Sequence, residues 1–99
     1  MLLLFERRVL ERGFIEVVVW RLVRPVRGVG HLFKYRLAYV VDGECVLRYD
    51  NESGKGDHRH VGSREEAYAF VSVDQLLSDF LADVGQWRGR CNGGSDDHG

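Results

Sequence analysis

Apolar and polar positions alternate along most of this chain in short runs, and the runs are separated by glycine and acid–glycine punctuation. Residues 2–10 and 14–24 are rich in β-branched and aromatic side chains, and Glu11-Arg12-Gly13 between them supplies a turn. This pattern predicts a first hairpin, although Leu3, Arg7 and Leu10 also fit a helix face. Ile15-Glu16-Val17-Val18-Val19-Trp20 is nearly continuous in apolar character, as expected of an interior strand covered on both sides. Residues 24–30 hold the single proline and two glycines and predict a loop.

Residues 31–41 lead through Asp42-Gly43 into residues 44–50, and Asp-Gly between two β-rich runs is a strong hairpin signal. A two-residue turn would set Val41 opposite Glu44, Tyr39 opposite Val46, Leu37 opposite Arg48 and Tyr35 opposite Asp50. One face would then carry Phe33, Tyr35, Leu37 and Tyr39 beside Val46, Arg48 and Asp50. That apolar patch is large enough to predict cover by a second chain.

Ala67-Tyr68-Ala69-Phe70 predicts a short strand, and the helix after it has clear start signals. Ser72 is the expected N-cap, Gln75 completes a capping box and Val71 is placed to staple onto Leu76. Leu76, Leu77, Phe80, Leu81, Val84 and Trp87 form one helical stripe, which is expected to lie on the sheet, and Gly89 is expected to end the helix. The prediction is an α+β fold: an antiparallel sheet of about five strands with one C-terminal helix on a face. Residues 1–88 would form a single domain and residues 89–99 a flexible tail.

Composition narrows the class. With 99 residues, 44% of them hydrophobic, and a net charge of -1, the chain has material for one hydrophobic core. The opening run Met1-Leu2-Leu3-Leu4-Phe5 is too short for a signal-peptide core, and no stretch is long enough to cross a bilayer, so a cytoplasmic protein without membrane contact is expected. Cys45 and Cys91 are expected to be reduced thiols. Between Val17 and Val41 lie Arg21, Arg24, Arg27, Lys34 and Arg36 and no carboxylate, which makes a basic zone.

The densest chemistry lies in residues 49–60, Tyr-Asp-Asn-Glu-Ser-Gly-Lys-Gly-Asp-His-Arg-His. So polar a segment reads as a site-bearing loop held by the sheet. His58 and His60, two apart, share a side if the backbone is extended, and imidazoles exchange protons near neutral pH. Cleavage of RNA without a metal needs a base, an acid and cations for the phosphate. His58 and His60 are candidates for the acid and base, Lys55 and Arg59 for the phosphate, and Lys34, Arg36 and Tyr49 for positioning or stabilisation. Asp57 or Asp50 could orient an imidazole, and Asn51 lies at the same cationic end of the sheet. A Zn or Mn site from Asp50, Asp57, His58 and His60 is the competing reading, but Lys55 and Arg59 among those ligands would repel the ion, so no metal or other cofactor is expected. Gly54-Lys55-Gly56 lacks the spacing of a nucleotide loop. His31 reads as structural, and Trp20 and Trp87 as core.

The stretches Lys34-Tyr35-Arg36-Leu37, Tyr49-Asp50-Asn51-Glu52 and Gly54-Lys55-Gly56-Asp57-His58-Arg59-His60, followed by Val73-Asp74-Gln75-Leu76-Leu77 and Asp79-Phe80, resemble the TumE family of small prokaryotic toxins. The resemblance implies a type II toxin with an antitoxin of the DNA-binding, helix-turn-helix kind as partner. RNA is the expected target, and a homodimer or a toxin–antitoxin complex the expected assembly. A non-catalytic module that binds nucleic acid or protein through the same basic surface is the alternative.

Overall fold

A computed structural model describes the backbone of residues 1–96 and the side chains of residues 1–89. The chain divides into two compact units, Met1–Ala69 and the stretch from Phe70 onward. The first is a six-stranded antiparallel meander in the order β1-β2-β3-β4-β5-β6. Its strands are β1 (Leu2–Leu10), β2 (Gly13–Arg21), β3 (Phe33–Val41), β4 (Glu44–Glu52), β5 (Gly56–Val61) and β6 (Arg64–Ala67). Strand content at both predicted hairpins agrees with the alternation, and the helical alternative for residues 2–10 is not taken.

The β3–β4 turn is built as Asp-Gly dictates. Asp42 and Gly43 both have positive φ, 51° and 81°, the pair of left-handed residues that a type I′ turn requires. Val41 faces Glu44 and Val40 faces Cys45, but Val46 then bulges, and beyond it Tyr39 faces Leu47, Leu37 faces Tyr49 and Arg36 faces Asp50. The uninterrupted two-residue register is therefore wrong by one residue beyond the turn. Cys45-Val46-Leu47 puts three apolar residues in a row, and a bulge absorbs Val46 so that Leu47 and Tyr49 join Leu37 and Tyr39 on one face.

That face forms the sheet's core: Val17, Val19, Tyr35, Leu37, Tyr39, Leu47 and Tyr49 are all buried within the single chain. The apolar patch expected to need a second chain is thus already covered. The shift also sends Arg48 and Asp50 to the opposite face, beside Arg36.

The polar stretch 49–60 is a hairpin, not a loop. Its first four residues finish β4, its last five belong to β5, and residues 53–55 alone form the turn. Polar side chains can occupy a strand when neighbours satisfy them, and here Asn51, His58 and Asp50 are buried at 1%, 5% and 8% exposure. The predicted strand 67–70 is likewise displaced, to Arg64–Ala67. The loop over residues 22–32 touches the β4–β5 turn: Gly54 N donates to Arg27 O at 2.8 Å, and a Cβ on Gly56 would stand 3.2 Å from Gly28 O.

In the second unit α1 (Val73–Asp96) begins as predicted, Gln75 N donating to Ser72 Oγ at 3.0 Å. The Gln75 side chain does not close a capping box but donates to Asp79, and Val71, 74% exposed, makes no staple. Leu76, Phe80 and Val84 are the buried positions of the stripe. The helix runs through Gly89, because one glycine costs a helix only about 1 kcal/mol and no proline follows. The flexibility expected of residues 89–99 and the state of Cys91 lie partly or wholly outside the described residues. Cys45 is a free thiol. Among the described residues no helix is long and apolar enough to cross a membrane.

Candidate functional site

The β4–β5 hairpin divides its polar residues between two faces. Cross-strand pairing sets His58 opposite Asp50 and His60 opposite Arg48 on one face, and Arg59 opposite Tyr49 and Asp57 opposite Asn51 on the other. Alternation decides this partition, since successive strand residues point to opposite sides.

On the first face the two imidazoles meet edge to face, with centroids 5.2 Å apart. His58 is the inner ring. Its Nδ1 lies 3.2 Å from Gly56 O and its Nε2 2.8 Å from Asp50 Oδ1, and because both oxygens accept, a singly protonated ring donates to only one of them. His60 is more open, and Arg48 Nη2 donates to its Nε2 at 3.0 Å, so the His60 proton sits on Nδ1. Glu65 Oε2 lies near both rings, 3.6 Å from His58 Nε2 and 3.5 Å from His60 Nε2. Arg48 Nε approaches Asp50 Oδ2 at 3.2 Å. Arg48 Nε and Asp50 Oδ1 are buried, yet neither makes a well-directed hydrogen bond. Such atoms are uncommon in interiors and mark a cluster not fully satisfied by its own side chains.

Arg36 stands opposite Asp50 on the next strand, and Lys34 lies two residues away on the same face. Both are exposed, and Arg36 approaches Glu16 at 3.8 Å.

The second face is closed. Asp57 Oδ1 accepts from Tyr35 Oη at 2.6 Å and from His31 Nε2 at 2.9 Å, with Asn51 Nδ2 at 3.4 Å. His31 Nδ1 accepts from Phe33 N at 3.1 Å, so the shared proton belongs to Nε2. Asn51 also accepts from Tyr35 N and donates to Phe33 O. Burial, reinforced by the Asp57 carboxylate, pushes the Tyr35 phenol far above its ordinary value. Arg59 donates to Tyr49 Oη at 3.0 Å and to Glu66 at 2.6 Å.

The expected site is therefore split. His58, His60, Asp50, Arg36 and Lys34 share one face; Asp57, Arg59, Tyr49 and Asn51 lie on the reverse of the sheet, and Lys55, exposed in the turn beside Glu52, lines an opening with His58. Of the two carboxylates proposed to orient an imidazole, Asp50 lies 2.8 Å from His58 and Asp57 is hydrogen-bonded to His31 instead. Arg48 and Glu65 were missed. A strand reading of residues 56–67 would have found Glu65 opposite His60, and the bulge hid Arg48.

Asp50, His58 and His60 present ligand atoms within 4.8 Å of one another, the geometry of a possible ion site. Of the two cations expected to repel an ion, Arg59 lies on the reverse face, whereas Lys55 lines one opening with His58 and Glu65. Arg48 enters the cluster, and its guanidinium occupies His60 Nε2.

A family model described as Toxin TumE matches residues 4–88, most of the chain. No curated protein and no solved structure matches.

Proposed function

The chain belongs to the TumE toxin family, and from that premise we propose that it is the toxin of a toxin–antitoxin pair and acts on RNA by metal-independent acid–base cleavage at the His58 face. The observation that carries this reading is the joined pair of imidazoles beside Arg48, with Arg36 and Lys34 exposed on the adjoining strand. His60 is the ring that meets substrate, because its side chain is 27% exposed against 6% for His58. Its Nε2 lone pair, now accepting from Arg48, takes the proton of a ribose 2′-hydroxyl when Arg48 turns to the phosphate. Arg48, Arg36 and Lys34 stabilise charge on the phosphate oxygens. His60, then carrying two protons, returns one to the departing oxygen, and His58, held at Gly56 O, fixes the His60 ring through their edge-to-face contact. Asp57, Tyr49, Asn51 and Arg59 hold the scaffold. A helix-turn-helix antitoxin is the proposed partner, and the cytoplasm the proposed compartment.

The test is cleavage of RNA by the purified chain, together with growth arrest on expression. His58→Ala and His60→Ala should abolish both, and chelation of divalent ions should change neither. Growth arrest that survives the double substitution but is lost on Arg36→Ala and Lys34→Ala would show that the face acts by binding alone. Loss of cleavage on chelation would move the reaction to a metal at Asp50, His58 and His60.

A further inference from the structure

The His58 face holds a large aromatic side chain that the proposed chemistry does not use. Trp20, one residue before the end of β2, stands opposite Lys34 and, with Lys34, Arg36, Arg48, Asp50 and Glu52, lines one concave opening. Sequence pattern alone makes Trp20 core, but it is half-buried, whereas Val17 and Val19 on the opposite face are buried. A tryptophan face held between cations is what single-stranded nucleic acid uses, bases stacking on the ring while cations follow the backbone. Three inter-strand steps separate β2 from β5, and Trp20 is offset by two residues along the strands from the level of His58, so the two stand about 16 Å apart, the span of a short single-stranded segment.

We propose that Trp20 is a stacking platform for a nucleobase of single-stranded RNA, flanked by Lys34 and Arg36 on the phosphates; the assignment rests on the RNA reading above. The test uses the full chain carrying His60→Ala, so that RNA stays intact, and a labelled oligouridine followed by fluorescence anisotropy. Trp20→Ala should weaken binding about ten- to a hundredfold, and Trp20→Phe should retain most of it. With Trp87→Phe added, the remaining emission of Trp20 should be quenched as RNA saturates the site. Unchanged affinity in Trp20→Ala with no quenching overturns the platform and leaves the RNA reading standing. Absence of RNA binding by the chain with Trp20 intact overturns both.

A separate observation concerns the sheet's two edges. β6 is four residues long and reads Arg-Glu-Glu-Ala, a short charged edge of the kind that resists pairing. β1 is nine residues long and exposes Leu2, Leu3, Phe5 and Val9, at 53%, 46%, 57% and 79%. In a symmetric antiparallel pair of β1 strands each residue must face one of its own parity. The register centred on Arg7 sets Leu4 against Leu10, Phe5 against Val9 and Glu6 against Arg8 of a second copy, so every pair but the central one is complementary. The central arginines have Glu16 as neighbour, 3.8 Å from Arg7.

We infer that β1 pairs with β1 of a second copy, joining two sheets edge to edge. Light scattering across a concentration series should show a dimer. Glu6→Arg and Arg8→Glu should each shift it toward monomer, and the charge-swapped Glu6→Arg/Arg8→Glu chain should restore it. A monomer at all concentrations, or a dimer indifferent to the single reversals, overturns the pairing.

Discussion

The two faces of the β4–β5 hairpin are made from the same kinds of residue and have opposite character. Each has a carboxylate against a histidine and an arginine against a neighbour, yet only the Asp57 side closes on itself. There Asp57 receives a phenol, an imidazole and an amide, and each donor is fixed by a further bond to backbone or side chain. On the Asp50 side the carboxylate keeps an oxygen without a directed donor, its arginine keeps a buried Nε in the same state, and the outer histidine reaches solvent. A network whose valences are all filled stabilises a fold; one with valences left over is available to a ligand.

The sharpest way to break this comparison is to truncate one group on each face. His60→Ala should lower RNA cleavage by about 10²- to 10⁴-fold and leave the urea midpoint close to its original value. Asp57→Ala strands the Tyr35 hydroxyl and the His31 proton among buried neighbours, and should destabilise the fold by about 3–5 kcal/mol while the folded fraction still cleaves. If His60→Ala unfolds the chain and Asp57→Ala silences it without loss of stability, the two faces have been assigned the wrong way round.

The partition between faces was only partly readable in the sequence, and two particular residues explain why. Asp42-Gly43 specified its turn completely, since only residues tolerant of positive φ suit a type I′ corner, and the capping role of Ser72 was equally local. Val46 was not local. Whether it pairs or bulges depends on which arrangement buries Leu47 and Tyr49, a property of the assembled sheet, and that single residue decides the face of Arg48 and Asp50. The density of charge in residues 49–60 similarly hid a strand, because burial of His58 and Asp50 becomes tolerable only once each has the other. Residue types therefore located the polar cluster, and tertiary register chose which of those residues share a face.

A smaller effect refines the closed face. Tyr35→Phe removes one donor to Asp57 and leaves its other partners, so it should cost about 1.5–3 kcal/mol, less than loss of the carboxylate. Its pH dependence has a definite sign. Burial, with the neighbouring Asp57, raises the Tyr35 phenol above its ordinary 10.0 in the folded chain, whereas the unfolded chain ionises it near that ordinary value. The stability that this phenol contributes is therefore complete below about pH 10 and is lost as pH rises toward the folded value, because only the unfolded chain gains from releasing the proton. Urea denaturation of the two chains side by side should show a constant gap up to that point and a narrowing gap beyond it. A gap that holds its width into strong alkali would mean that the Tyr35 hydroxyl ionises as readily folded as unfolded, and the Asp57 face would then be as open as the one that carries His60.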